Sequence, residues 1–164
     1  MKRMLCLLLL LCMLLSGCGM FGERIKEPVT FYYLCAAYQE DLCCAISSEE
    51  REASGHTGDL SYLLALYLMG PSGEDLVTPL PRGTRIYSAK QEEYTVLLNM
   101  SDTSQTLTDA EFSLACACLT MTCLDMTDAE QVTITSGSRS ATMHRDNLTL
   151  TDNSTATETT EDNG

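Results

Sequence analysis

The sequence predicts an α+β fold: a two-layer α/β sandwich in the order β-β-α-β-β-α-β, with two helices on one face of a mostly antiparallel sheet. Two observations lead there. Residues 59–69 and 109–126 repeat apolar side chains at helical spacing, each with a start signal. The runs around them are short, rich in β-branched and aromatic residues, and separated by polar turns.

The elements follow in order. "VTFYYLCAA" at 29–37 reads as a strand, "YQED" as a turn, and "LCCAISSEE" at 42–50 as a second strand that becomes charged. "REASGHTGD" is a polar loop. "LSYLLALYLMG" then places Leu60, Leu63, Leu64, Tyr67 and Leu68 on one stripe, with Asp59 as N-cap and Gly70-Pro71 as the stop. Residues 71–84 form a proline- and glycine-rich loop. Ile86 opens a strand, "QEE" turns, and "YTVLLNM" returns antiparallel with Tyr94, Val96, Leu98 and Met100 facing one side. Thr108 and Glu111 make a T-x-x-E capping box for the longer helix, where Phe112, Ala115, Leu119 and Cys123 share a face. "QVTITS" is a strand ending at Gly137, and "ATMHRDNLTL" offers a further edge strand.

The start of the chain is of another kind. Lys2 and Arg3 precede an almost wholly apolar run from Met4 to Leu15. As a helix these residues span about 18 Å, against roughly 30 Å for a bilayer core. The run is therefore an h-region, and residues 1–17 read as a signal peptide. Leu15-Ser16-Gly17-Cys18 resembles the bacterial lipobox, L-[AS]-[GA]-C. That resemblance implies cleavage before Cys18 and a diacylglyceryl group on its thiol, with the remaining chain held at the outer face of the cell membrane. Two acyl chains anchor durably where one is marginal. Residues 18–27 are then the lipidated tether, 28–150 the folded domain, and 151–164 an acidic tail expected to be disordered, having no aromatic or branched aliphatic residue.

The formal net charge is −13, and about −15 once Lys2 and Arg3 leave. Such a chain repels phosphates and is a poor partner for nucleic acid. Of nine cysteines, Cys6 and Cys12 leave with the signal and Cys18 is the lipid site. Cys35, Cys43, Cys44, Cys116, Cys118 and Cys123 lie within apolar runs and read as small buried hydrophobes, with a cross-link from Cys35 to Cys43 or Cys44 as the alternative. His56 and His144 stand apart and no C-x-x-C follows the signal, so no metal site and no cofactor are expected.

Four stretches belong together: Leu66 and Leu68 running into Gly70-Pro71, Leu80-Pro81-Arg82-Gly83-Thr84, Val96 to Ser101, and Val132 with Ile134. In this order they resemble the GerMN domain family of sporulation and spore-germination lipoproteins. The likeness spans residues 28–137, and its specific parts are Gly70, Pro71, Leu80, Pro81, Gly83 and Thr84. The family's founding member carries two such domains in tandem, and this sequence carries one. The resemblance implies a non-enzymatic binding or assembly module in sporulation, germination or envelope maintenance, with a protein partner or self-association. Two other readings stand beside it: a peptidoglycan-related envelope enzyme or accessory, and a small-ligand-binding lipoprotein. No G-x-S-x-G, H-E-x-x-H or phosphate loop occurs. Carboxylate pairs such as Glu49-Glu50 and Glu74-Asp75 arise by chance in a chain with 23 acids.

Overall fold

The computed structural model describes residues 27–36, 45–53 and 55–148. The signal segment, Leu15 to Cys18, most of the tether, Cys43, Cys44 and the acidic tail lie outside them. The elements are β1 (Pro28–Cys35), β2 (Ile46–Glu52), α1 (Leu60–Leu68), β3 (Leu76–Val77), β4 (Ile86–Glu92), β5 (Thr95–Met100), α2 (Asp109–Met126), β6 (Gln131–Ser136) and β7 (Arg139–His144), with a short 3-10 turn at Arg145–Asn147.

The α+β class and the element order stand. The strands, however, form two sheets: an antiparallel one ordered β2-β1-β3, and a mixed one ordered β4-β5-β6-β7. In the second, β4–β5 and β6–β7 are antiparallel hairpins, while β5 and β6 run parallel. A parallel pair needs a crossover, and α2 supplies it.

Helix α2 packs against β1 of one sheet and against β6 and β7 of the other. This two-sided contact explains its composition. Phe112, Ala115, Cys116, Cys118, Leu119, Thr120, Thr122, Cys123 and Leu124 are all buried, half of its eighteen residues. Alanine, cysteine and threonine are small enough for a strand to approach closely. Thr108 accepts from the Glu111 amide and Glu111 reaches back to the Thr108 amide, completing the capping box. That bond to the Thr108 N–H holds the Glu111 carboxyl below its usual range.

Strand β1 alternates. Val29, Phe31 and Tyr33 are buried, and the rings of Phe31 and Tyr33 cluster with that of Tyr67 from α1. Tyr33 and Tyr67 stack at 4.7 Å. Strand β3 covers only the end of β1, at Leu34 and Cys35. Before that point the edge faces α2, where the Tyr32 amide donates to Thr122 Oγ1 at 3.0 Å and the Tyr32 hydroxyl donates to Asp125 at 2.7 Å. A helical hydroxyl thus replaces the missing strand partner.

Four local departures from the sequence reading have simple causes. The second strand runs from Ile46 to Glu52, because its charged half is the part that pairs with β1. Leu76–Val77 pairs within the loop at 71–84, over a stretch too short to show a period. Gln91 and Glu92 belong to β4, and the turn sits at Glu93-Tyr94, with Glu93 at φ 51°. Tyr94, in that turn, is 62% exposed and leaves Val96, Leu98 and Met100 as the buried row. The final strand begins at Arg139, directly after a two-residue turn.

Two threonines on α2 give a paired test. Thr122 is buried and accepts from a strand amide, whereas the buried Thr120 Oγ1 has no partner. Thr122→Val should cost about 1–3 kcal/mol, the penalty of an orphaned buried amide. Thr120→Val should be neutral or stabilising, since it removes an unsatisfied hydroxyl. Urea denaturation midpoints compare the two, and equal costs would refute the assignment.

Candidate functional site: the groove at the glycine-proline connection

The residues singled out in the sequence come together. Gly70, Pro71, Leu80, Pro81, Gly83 and Thr84 line one groove of about 380 Å³, joined by Leu68, Met69, Leu76, Val77, Thr78 and Arg82. Each has a local reason for its place. Gly70 ends α1 at φ 87°, its amide bonded to the Tyr67 carbonyl at 3.0 Å. This is the left-handed cap that favours glycine. Gly83 takes the same φ in a tight turn, where the Thr84 amide and hydroxyl both donate to the Pro81 carbonyl, at 3.1 and 2.8 Å. Leu80 is buried as the floor anchor, while Met69 and Val77 stand exposed on the rim.

Two charged residues of β2 hold this connection, and the sequence reading passed over their role. Arg51 donates to the carbonyls of Leu66 and Gly70, at 3.4 and 3.0 Å. A cation at a helix C-terminus also meets the negative end of the helix dipole. Glu49 accepts from the amides of Ser72 and Gly73, at 2.9 and 3.2 Å, and lies 3.7 Å from Arg51. Arg51 also sits 5.7 Å from the centre of the Phe31 ring. Beneath them the Tyr33 hydroxyl donates to the Tyr67 carbonyl, and the Tyr67 hydroxyl to the Tyr32 carbonyl. Burial raises both phenols, Tyr33 to about 12. The signal available in the sequence was Glu49 and Arg51 two apart on a strand, which puts both on one face.

A second, larger cleft of about 640 Å³ opens between the start of α1, β4 and the end of α2. Leu60, Leu63, Ala89 and Met126 give it apolar walls, and Asp125 and Asp128 stand at its lip. Both carboxylates are engaged: Asp125 by the Tyr32 hydroxyl and, at 4.0 Å, by Arg145, and Asp128 by the Gln91 amide.

The other candidates fall apart from one another. His56 stacks on Tyr62 at 4.2 Å. Cys116, Cys118 and Cys123 are buried thiols, and burial pushes each from the usual value near 9 up to about 12. Such thiols stay protonated and are poor nucleophiles. No disulfide joins the described cysteines, and no three metal-ligating side chains converge among the described residues.

Three measurements test this description. A Cβ on Gly83 would meet nothing within 4 Å, so Gly83→Ala should cost about 1–2 kcal/mol from its backbone angle alone. Arg51→Met should instead speed amide exchange at Ser72 and Gly73, because its loss loosens the same turn. The thiols set the pH response. Their folded values lie above the unfolded ones, so their contribution is complete below about pH 9 and is lost as pH rises toward 12. Thermal melts should therefore fall steadily above pH 9, and a level curve to pH 11 would contradict the burial of these groups.

No protein-family model matches the chain, and no curated protein does. Among solved structures, the tandem GerMN domains of the sporulation protein GerM from Bacillus subtilis superpose with a TM-score of 0.51 at 18% identity, over 76% of this chain and 43% of that one. This chain thus spans under half the length of that GerM structure. A candidate lipoprotein from Clostridium perfringens gives a TM-score of 0.45 at 14% identity, over 73% of this chain and 89% of that one. The chain has the fold of a GerMN domain.

Proposed function

We propose that this chain is a membrane-anchored lipoprotein of the bacterial envelope, tethered through a lipid on Cys18, whose single GerMN-like module works by binding and assembly rather than catalysis. The observation that carries the reading is the commitment of its reactive groups to the fold. Glu49 and Arg51 hold a turn, Asp125 and Asp128 hold neighbouring side chains, and the described buried thiols are kept protonated. This arrangement supports a role carried by surfaces. The likeness to GerM supports a place in sporulation, germination or envelope maintenance.

The anchor is tested directly. Cys18→Ala should move the chain from the membrane fraction to the soluble one, and mass spectrometry of the extracted parent should find a diacylglyceryl adduct on Cys18. An unmodified Cys18 behind an intact signal segment would overturn the anchoring. For the assembly role, the full chain in lipid vesicles should associate with itself or retain an envelope protein, and strict isolation would refute it.

One feature favours a second reading, a small-ligand binder. The cleft beside α1 has a volume of about 640 Å³, within the range of ligand sites, and apolar walls. Under this reading Ala89→Trp, which fills the cleft, abolishes ligand-induced thermal stabilisation; under the assembly reading it changes nothing but stability.

A further inference from the structure

A sheet that ends in water presents a row of unpaired backbone donors and acceptors, and folded chains usually blunt such an edge. This chain blunts most of its edges, each differently. β1 is closed along part of its length by Thr122 of α2. The outer edge of β2 carries the exposed Glu50 and Glu52. β3 is two residues long. β4 is broken by a register shift between Ile86 and Ser88, and α1 begins beside Ala89 and Gln91.

Among the described residues, β7 has none of these devices. It runs for six residues in unbroken register with β6. It contains no carboxylate, in a chain with 23 acids. Its arginine does not guard the edge either. The Arg139 guanidinium turns inward to the Leu107 carbonyl and the Thr103 hydroxyl, at 3.1 and 2.9 Å, and lies 4.2 Å above the Phe112 ring.

The register shows which groups are free to pair. Ser136 and Arg139 flank a two-residue turn and so form a hydrogen-bonded pair. The Arg145 amide donates to the Glu130 carbonyl at 3.2 Å, in the same phase. Hydrogen-bonded positions alternate along an antiparallel ladder. Arg139, Ala141 and Met143 therefore point their main chain at β6, and Ser140, Thr142 and His144 point theirs outward. All three outward residues are exposed.

We propose that this edge pairs antiparallel with β7 of a second copy of the chain, about a two-fold axis at Thr142. The pattern is self-complementary. Thr142 meets Thr142 of the second copy, and Ser140 meets His144 of the second copy at either end. About four main-chain hydrogen bonds result, because the His144 carbonyl already caps the 3-10 turn at Arg145–Asn147, and they join two four-stranded sheets into one of eight strands. Charge selects the same contact. Two chains of net charge −13 repel, and they approach best through a strand without carboxylates. The outer face beside the axis continues the theme, with Thr133 bonded to Thr142 at 2.9 Å and Thr135 opposite Ser140.

This names the partner in the assembly reading and rests on it, because anchored copies share a surface and a modest interface then suffices. The experiment uses the full chain in vesicles of phosphatidylethanolamine and phosphatidylglycerol. Under mild oxidation Thr142→Cys should form a disulfide between the two introduced thiols, at least about tenfold above the parent chain and above Gln91→Cys on the β4 edge, because facing residues of a hydrogen-bonded pair lie about 5.5 Å apart. Thr142→Pro removes an amide that the ladder to β6 does not use. It should keep the parent's thermal midpoint while energy transfer between labelled copies falls to background, and Thr142→Lys should do the same. Equal cross-linking at the two edges overturns the proposal. So does cross-linking that appears only after residues 149–164 are removed, which would give the edge to the chain's own tail. Self-association that survives Thr142→Lys sinks this pairing and leaves the assembly reading intact. Absence of any association, with itself or with an envelope protein, removes both.

Discussion

A strand amide buried under a helix has to find an acceptor, and in this fold that requirement falls on Thr122. β3 is too short to accompany β1, so the middle of β1 meets α2 where a strand would normally lie. The hydroxyl of Thr122 takes the place of a strand carbonyl, and the carboxylate of Asp125 fixes the same residue by its phenol. Much else follows from that substitution. The helix must come close to the strand, so six of its nine buried residues are alanine, cysteine or threonine. It must also serve the second sheet, so half of its residues are buried. The thiols are dense there because cysteine is a small apolar side chain, and burial, with no nearby cation to counter it at Cys123, keeps that thiol protonated.

The glycine-proline connection obeys a similar rule at the other end of β1. Chain leaving a helix exposes carbonyls, and a turn exposes amides. Arg51 answers the first and Glu49 the second, from successive positions on the core-facing side of one strand. The groove between Met69 and Val77 is therefore shaped by a rigid turn, and its rim is set by backbone bonds more than by the side chains that line it.

How much of this could be read in advance depends on the range of the interaction. Asp59 accepts from the Tyr62 amide as its position implied, and Thr108 with Glu111 marks the start of α2 because both halves of that box are three residues apart. Gly70 and Gly83 were legible for the same reason: a left-handed angle favours glycine, and the neighbouring prolines mark the turn. The division of seven strands between two sheets was not legible, since it depends on β1 meeting residues ninety positions later. Nor was the role of Glu49 and Arg51, which in sequence look like the charged tail of a fading strand. Alternation puts Tyr94 on one side with Val96, Leu98 and Met100, and the turn at Glu93 carries it to the surface, since a period of two says nothing about where a strand begins.

The contact between Tyr32 and Thr122 also governs timing. A chain made from its amino end completes β1 long before α2, and the two contacting residues are 90 positions apart. Until the second helix arrives, β1 has only its hairpin partner and one wet edge. Loop-closure entropy over such a span is modest but contacts of that range form slowly. Folding is thus sequential in this chain: the first strand waits, half solvated, until the second helix has been made.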